Sequence, residues 1–310
     1  MKYALLSYLF KEQNDVDVLN VGDYIQSIAA RQFLPKVDFY LERELLDQEV
    51  PEECKCIMNG WFMHGNHWPP NPLIKPLFVA FHINSEAEKL LLSRASLDYL
   101  KNHEPIGCRD KRTERLLKER GIDAYFSACL TLTLGKTYQH TEGNEVLFVD
   151  PYIYNKEKVS KATQYYRTIR KGESYQKQEI RKKYGDILPG LSKFEVVSHL
   201  MYKTTTIDKS FLIADEILKR YSKAKLVITS RIHCALPCLA MGTPVVYIHN
   251  MNTPEIDGCR LDGLLELFKN IIYVNGENIY LSDNFDITSS YNISDIVSSI
   301  SEKAESFVKN

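Results

Sequence analysis

Residues 224–248 read AKLVITSRIHCALPCLAMGTPVVYI, and this stretch decides the fold. Residues 226–229 are a short apolar, β-branched run, and residues 244–248 are another. Between them, residues 234–241 have the composition of a short helix closed by Gly242. Two buried strands flanking a helix, with glycine just past the helix end, are the sequence form of a βαβ unit. In such units ligands lie beyond the carboxyl end of the strand, at the amino end of the following helix. That junction carries Thr229, Ser230, Arg231 and His233. A guanidinium and an imidazole separated by one residue, beside free helix N–H groups, make a compact anion site with a titratable group inside it. The competing reading pairs Arg231 with a surface carboxylate and leaves His233 merely at the start of the helix.

Working outward, a chain of 310 residues is long for one core, and two domains are expected. A net charge of −1 argues against nucleic acid and against a broad basic membrane face. The first apolar run, residues 3–9, is short for a signal peptide or membrane span and lacks a basic leader. Seven cysteines, with Cys54 and Cys56 the only close pair, form no disulfide or metal framework. A reduced, cytoplasmic protein without a metal is expected.

Strands are predicted at residues 2–9, 37–41, 56–58, 77–83, 106–108 and 125–134, with helices at 84–102 and 111–120. Ile25, Ile28, Ala29 and Phe33 give another helix its apolar face. The turn before it, Asn20-Val21-Gly22-Asp23, has a glycine that lets a ligand approach, and an aspartate whose simplest role is a cap. His82 and Arg109 close two strands at their carboxyl ends, and Asp110 is placed to cap the next helix. The loop 59–70 holds Asn59, His64, His67 and both tryptophans, Trp61 and Trp68. Their rings suit either a sugar face or the underside of the loop. Its glycine and prolines argue against His64 and His67 sharing a metal. Polar residues 141–144 separate a first domain, 1–140, from a second, 141–310. The second opens with a strand at 146–150. A charged helical stretch at 156–184, a strand at 195–198 followed by His199, and a helix from Asp208 lead into the central unit. Arg260 follows that unit, and a helix at 293–308 ends the chain, placed to cross back to the first domain. Strands alternating with helices in both halves predict an α/β fold, two Rossmann-like domains with mainly parallel sheets facing a cleft.

Ser230-Arg231-Ile232-His233, followed by Ala235, Leu236, Gly242, Pro244 and Val245, resembles the signature of the polysaccharide pyruvyl transferase family. Asn20 to Asp23 resembles its early glycine–aspartate turn. Arg109-Asp110 with Thr113, Leu116, Leu117 and Gly121 resembles its internal arginine–aspartate motif. Cys234 stands where a small residue is usual. The resemblance implies a two-domain arrangement similar to the GT-B glycosyltransferases, with phosphoenolpyruvate as co-substrate and a sugar hydroxyl pair as acceptor. It implies no further cofactor.

On that reading the donor's carboxylate and phosphate need several cations, which Arg231 and Arg109 supply with Ser230 and His199 beside them. His233 is the expected acid–base catalyst, and Asp23 deprotonates or orients an acceptor hydroxyl. Asn20, Gly22, Asn59, Trp61, His82 and Arg260 are expected to line the acceptor side. The acceptor, a polysaccharide repeat unit, is compatible with a lipid-linked form and peripheral membrane contact. Two alternatives compete: a nucleotide-sugar glycosyltransferase, and a non-catalytic sugar-binding protein of a polysaccharide locus.

Overall fold

The computed structural model describes residues 1–9, 18–63, 65–152, 172–188, 193–202, 206–254 and 258–309. His64, most of the loop from residue 11, and the first part of the charged stretch from residue 156 lie outside these. Apolar β-branched runs make a six-stranded parallel sheet in the order β3-β1-β4-β5-β6-β7. Its strands are β1 (Lys2–Ser7), β3 (Phe39–Glu42), β4 (Cys54–Phe62), β5 (Ile74–Ile83), β6 (Ile106–Cys108) and β7 (Ala124–Phe126). A second six-stranded sheet runs β14-β13-β12-β11-β8-β9. It comprises β8 (Glu145–Val149), β9 (Glu195–Val197), β11 (Ala224–Thr229), β12 (Val245–Asn250), β13 (Ile271–Asn275) and β14 (Asn278–Leu281). Only its edge hairpin, β13–β14, is antiparallel. Two Rossmann-like layers of mainly parallel strands are therefore the architecture, as the alternation predicted.

A small antiparallel ribbon joins the two. Strand β2 (Val18–Asn20) pairs with β10 (Leu200–Tyr202), setting Leu19 against Met201. Helix α1 (Val21–Arg31) follows β2 directly and packs on α6 (Ile207–Ser222), while α7 (Ile232–Met241) packs on both. One apolar core runs through this contact, and a second lies on the far face of the second sheet around Phe148, Tyr184 and Ile228. The terminal helix α8 (Ser294–Lys309) lies against the first sheet, where Lys55 Nζ donates to Phe307 O at 2.7 Å and Lys136 pairs with Glu305 at 2.9 Å.

Several elements differ from the expectation, the first being β4, which continues through Phe62 so that Asn59 and Trp61 lie on a strand and not in a loop. The long helix at 84–102 is broken into a short turn, α2 (Glu88–Leu91), and α3 (Arg94–Lys101). Ser93 accepts from Ser96 N and starts the new helix, since a serine offers the backbone an alternative partner. The strand run at 125–134 stops at Phe126, and Leu130–Lys136 is a 3-10 helix. Its Leu-Thr-Leu-Thr-Leu alternation mimics a strand, but Thr133 Oγ1 bonds Leu130 O at 2.7 Å and the five residues are buried against α7. Asp23 does not cap α1: Asn20 does, accepting from Gly22 N at 3.0 Å.

Candidate active site

Carboxyl ends of strands supply nearly every polar group of the site. Phe81 pairs with Cys108 in the ladder, and Arg109 N extends it to Phe81 O at 2.8 Å, so His82 and Arg109 emerge side by side. Asp110 caps α4 (Lys111–Lys118) through Thr113 N at 2.8 Å and meets His82 Nδ1 at 2.6 Å. Burial raises the Asp110 pKa, but the hydrogen bond and charge of His82, with Arg109 beside them, hold it below the usual carboxylate value. His82 moves the other way: burial, then Arg109, lower it to about 4. Its Nδ1–H therefore donates to Asp110, and Nε2 carries a lone pair with no protein partner.

Arg109 is 1 % exposed, and its Nε and Nη2 find no acceptor among the described residues. A buried guanidinium with open donors is costly, by several kcal/mol in order of magnitude. The sequence spends that stability at the meeting place of both sheets. His233 lies there too. Its Cβ is 3.2 Å from where a side chain on Gly22 would begin, so any larger residue there would press on the imidazole. Burial and then Arg109, Arg260, His199 and His82 push the His233 pKa well below its ordinary value. Those four residues act on it through their charge, and its Nε2 has no partner among the described residues. Arg260 arrives on a turn of the second unit (Cys259–Leu261) that is fastened to α4. Lys111 N donates to Asp262 O at 3.0 Å, and Lys111 and Arg115 pair with Glu266 and Asp262 at 2.6 and 2.7 Å.

Arg231 caps α7 and does pair with a carboxylate, but not a surface one. Its Nε donates to Asp150 Oδ2 at 2.8 Å. The same carboxylate accepts from His199 N at 3.0 Å, and Asp150 O accepts from Ser230 Oγ at 2.5 Å. Ser230 thus pins the turn that holds Arg231. His199 Nε2 shares a 2.6 Å hydrogen bond with Tyr221, and its carbonyl accepts from Val21 N at 2.7 Å, tying the second unit to α1. Cys234 lies under the same cluster. Burial raises its pKa, yet hydrogen bonds with Cys238, His199 and Tyr221 bring it down to about 6.

Asp150 escaped the sequence reading, although it ends a strand run as Thr229 and Cys108 do. Burial raises its pKa, but Arg231 and then His199 leave it depressed. Its φ of +41° lies in the left-handed region, which Asp and Asn tolerate best. Asp150→Asn should therefore keep the backbone but lose the charge, lowering stability at pH 7 by about 1 to 3 kcal/mol in urea unfolding. A depressed carboxyl stabilises above its unfolded value and loses that contribution as pH falls through the folded one. The deficit should accordingly persist at pH 5. A variant as stable as the wild type at both pH values would show that the Arg231 pair contributes nothing.

On the other side of α1, Asp23 accepts from Gln26 Nε2 at 3.3 Å and lies 3.8 Å from Arg43 Nη1. Arg43 sits over the rings of Tyr8 and Trp61, 4.9 and 5.0 Å from their centroids. Asn59 Nδ2 donates to Gln26 O at 3.0 Å. Trp68 is buried among Phe62, Phe81 and Tyr99, all within 6 Å between centroids, so it plugs the loop and is not a sugar platform. His67 pairs with Asp47 at 2.9 Å. Among the described residues no three or more His, Cys, Asp and Glu side chains are grouped to hold a metal, and no helix is long and apolar enough to cross a membrane.

The site is thus a buried, cationic cluster with two imidazoles whose pKa is depressed, suited to a small multivalent anion and to moving protons. A comparison with curated proteins returns no match. The sequence profile of the polysaccharide pyruvyl transferase family matches residues 20–250, which takes in the glycine–aspartate turn, Arg109 and the Ser230–His233 motif. The family's members are transferases that act on polysaccharides, and this chain belongs to the polysaccharide pyruvyl transferase family.

Proposed function

We propose that the chain moves the pyruvyl group of phosphoenolpyruvate onto two hydroxyls of a sugar in a cell-surface polysaccharide or its precursor, forming a pyruvate ketal in the cytoplasm. The observation that carries this reading is Arg109, fully buried with Nε and Nη2 open toward no protein acceptor, beside two imidazoles with open Nε2 atoms. A planar fork of donors matches a carboxylate or phosphate. Arg260 and Arg231 add positive charge, Arg231 held in place by Asp150. We place the division between the units at residue 140, with the acceptor on the first.

Ketal formation needs a proton on the methylene carbon of the donor, which makes the methyl group and leaves a cationic centre at the adjacent carbon. One sugar hydroxyl attacks that centre and gives its proton to a base. Phosphate then leaves, taking the bond pair and a proton, and the second hydroxyl closes the ketal as it loses its own proton. The two hydroxyl protons balance the one on carbon and the one carried off by phosphate. His233 is the acid in this scheme. His82, its tautomer set by Asp110, is the base, and Asp23 orients the acceptor. A nucleotide-sugar glycosyltransferase would want a free carboxylate for a ribose diol near α7, but Asp150 there is engaged by Arg231.

Donor binding tests the reading directly. The cations and burial that hold His233 neutral are opposed by a bound dianion, so its pKa should rise on binding. Phosphoenolpyruvate should therefore bind with proton uptake, and more tightly as pH falls from about 7.5 to 6. Calorimetry in two buffers of different ionisation enthalpy measures the uptake, and His233→Asn should abolish most of it. No binding of phosphoenolpyruvate to the wild type would overturn the assignment.

A further inference from the structure

We infer that Gln26 and Asn59 form a hydroxyl-reading subsite that orients the acceptor sugar, an assignment that rests on the pyruvyl-transfer reading of the adjoining site. Both side chains are amides only 1 % exposed. Neither amide orientation is arbitrary. Gln26 Nε2 faces the Asp23 carboxylate at 3.3 Å, and Asn59 Nδ2 faces the Gln26 carbonyl at 3.0 Å, so each nitrogen is fixed by an acceptor. The atoms left over, Gln26 Oε1 and Asn59 Oδ1, are therefore acceptors, and neither has a donor among the described residues. Buried acceptors of this kind cost stability unless something donates to them.

The two lie side by side. Asn59 bonds the backbone of Gln26, and a side chain on Gly60 would begin 2.8 Å from Gln26 Oε1. Gly60, at φ +110°, lacks the Cβ that would clash with this oxygen. The pair is also next to the reaction centre. Gln26 is one helical turn from Gly22, where an added Cβ would lie 3.2 Å from His233 Cβ, and Trp61, two residues beyond Asn59, pairs in register with His82.

Two fixed acceptors need a ligand with two donors and no negative charge, because Asp23 stands beside them. A neutral sugar ring meets this demand through hydroxyls that are not themselves ketalised: amide oxygens cannot remove a proton, so the reacting hydroxyls belong with His82 instead. A free amine would also donate, but Arg43 on the other side of Asp23 opposes a cation. A site that hydrogen-bonds a hydroxyl discriminates strongly against an analogue lacking it, since its own polar groups are then left unpaired.

The test uses methyl glycosides of glucose, galactose, mannose and their N-acetylamino counterparts, with binding to the full chain followed by saturation-transfer NMR, with and without phosphoenolpyruvate. Gln26→Met and Asn59→Leu keep volume and remove the orphaned oxygen together with the amide donor beside it, two effects of opposite sign, so both variants should stay folded, which a thermal melt checks. The wild type should bind at least one glycoside. Both variants should weaken it about tenfold or more, with phosphoenolpyruvate affinity unchanged within about twofold. Deoxygenating the recognised hydroxyl should weaken wild-type binding while leaving the matching variant indifferent. Glycoside affinity unchanged in two folded variants, as expected if interior water alone serves these oxygens, overturns the subsite. So does a wild type that binds phosphoenolpyruvate but none of the glycosides. Loss of phosphoenolpyruvate binding in the wild type itself refutes the donor reading instead, and the glycoside arm run without it still decides on the amide pair.

Discussion

His233→Asn should release phosphate from phosphoenolpyruvate, in the presence of an accepted sugar, about 100- to 10,000-fold more slowly than the wild type, the range for removing a general acid–base group. Asparagine keeps a hydrogen-bonding head at the amino end of α7 but cannot exchange a proton near neutral pH. The imidazole is buried, and its burial and the charge of Arg109, Arg260, His199 and His82 favour the neutral form. A bound dianion cancels that cationic field, so the proton is acquired as the donor arrives, close to the carbon that needs it. The effect should fall on kcat more than on donor affinity. Stability should move in the opposite direction to activity at mildly acid pH. A histidine whose folded pKa is depressed favours the native state above its unfolded value and loses that contribution as pH falls through the window between the two. The variant lacks this liability, so below about pH 6 it should unfold at higher urea than the wild type. Turnover within a few-fold of wild type in a folded His233→Asn protein would leave the His82–Asp110 pair as the acid–base machinery.

The second large effect belongs to Arg109→Met. Truncating one partner of a buried, hydrogen-bonded charge pair usually costs about 2 to 5 kcal/mol of binding, roughly a 30- to 4,000-fold loss of phosphoenolpyruvate affinity. The folded state should respond the other way. Arg109 is buried with two donors unsatisfied by protein, and an apolar side chain of similar volume removes that burden. Unchanged or raised stability with lost donor binding is the signature of a residue kept for function at the expense of the fold. Calorimetric titration with phosphoenolpyruvate beside a urea melt separates the two quantities. A variant that is destabilised yet binds the donor normally would make Arg109 a structural residue. Arg109→Lys keeps the charge but not the planar fork and should fall between, about 1 to 3 kcal/mol weaker in binding.

Local patterns were enough for part of this protein. The stretch 224–248 is β11, α7 and β12 because its apolar runs, helix length and closing Gly242 are short-range properties that any context would read alike. The parallel class of both sheets follows from the same alternation, and the rule that ligands lie at strand carboxyl ends singled out Arg109, His82 and the Ser230–His233 turn. Where a segment's pattern suits two structures, the tertiary contacts chose. Residues 130–134 alternate like a strand, yet they form a 3-10 helix because no further strand position is taken beyond β7 and their leucines are needed against α7. Trp61 and Trp68 were equivalent in sequence; only packing buried Trp68 among aromatic rings and set Trp61 beside Arg43.

Partnership is the other thing that sequence could not carry. Asp150 and Arg231 are 81 positions apart, and nothing local to either says that they share a hydrogen bond. The charge of Arg109, Arg260, His199 and His82 reaches His233 from four separate stretches of the chain, and Gly22 keeps the turn before α1 close to His233. Whether a histidine is neutral or charged depends on that burial and those neighbours, which are long-range quantities. Residue identity and spacing therefore determined the chemistry available at each strand end, while the tertiary structure decided which ends meet and left Arg109, Gln26 and Asn59 with hydrogen-bonding atoms that the protein itself does not satisfy.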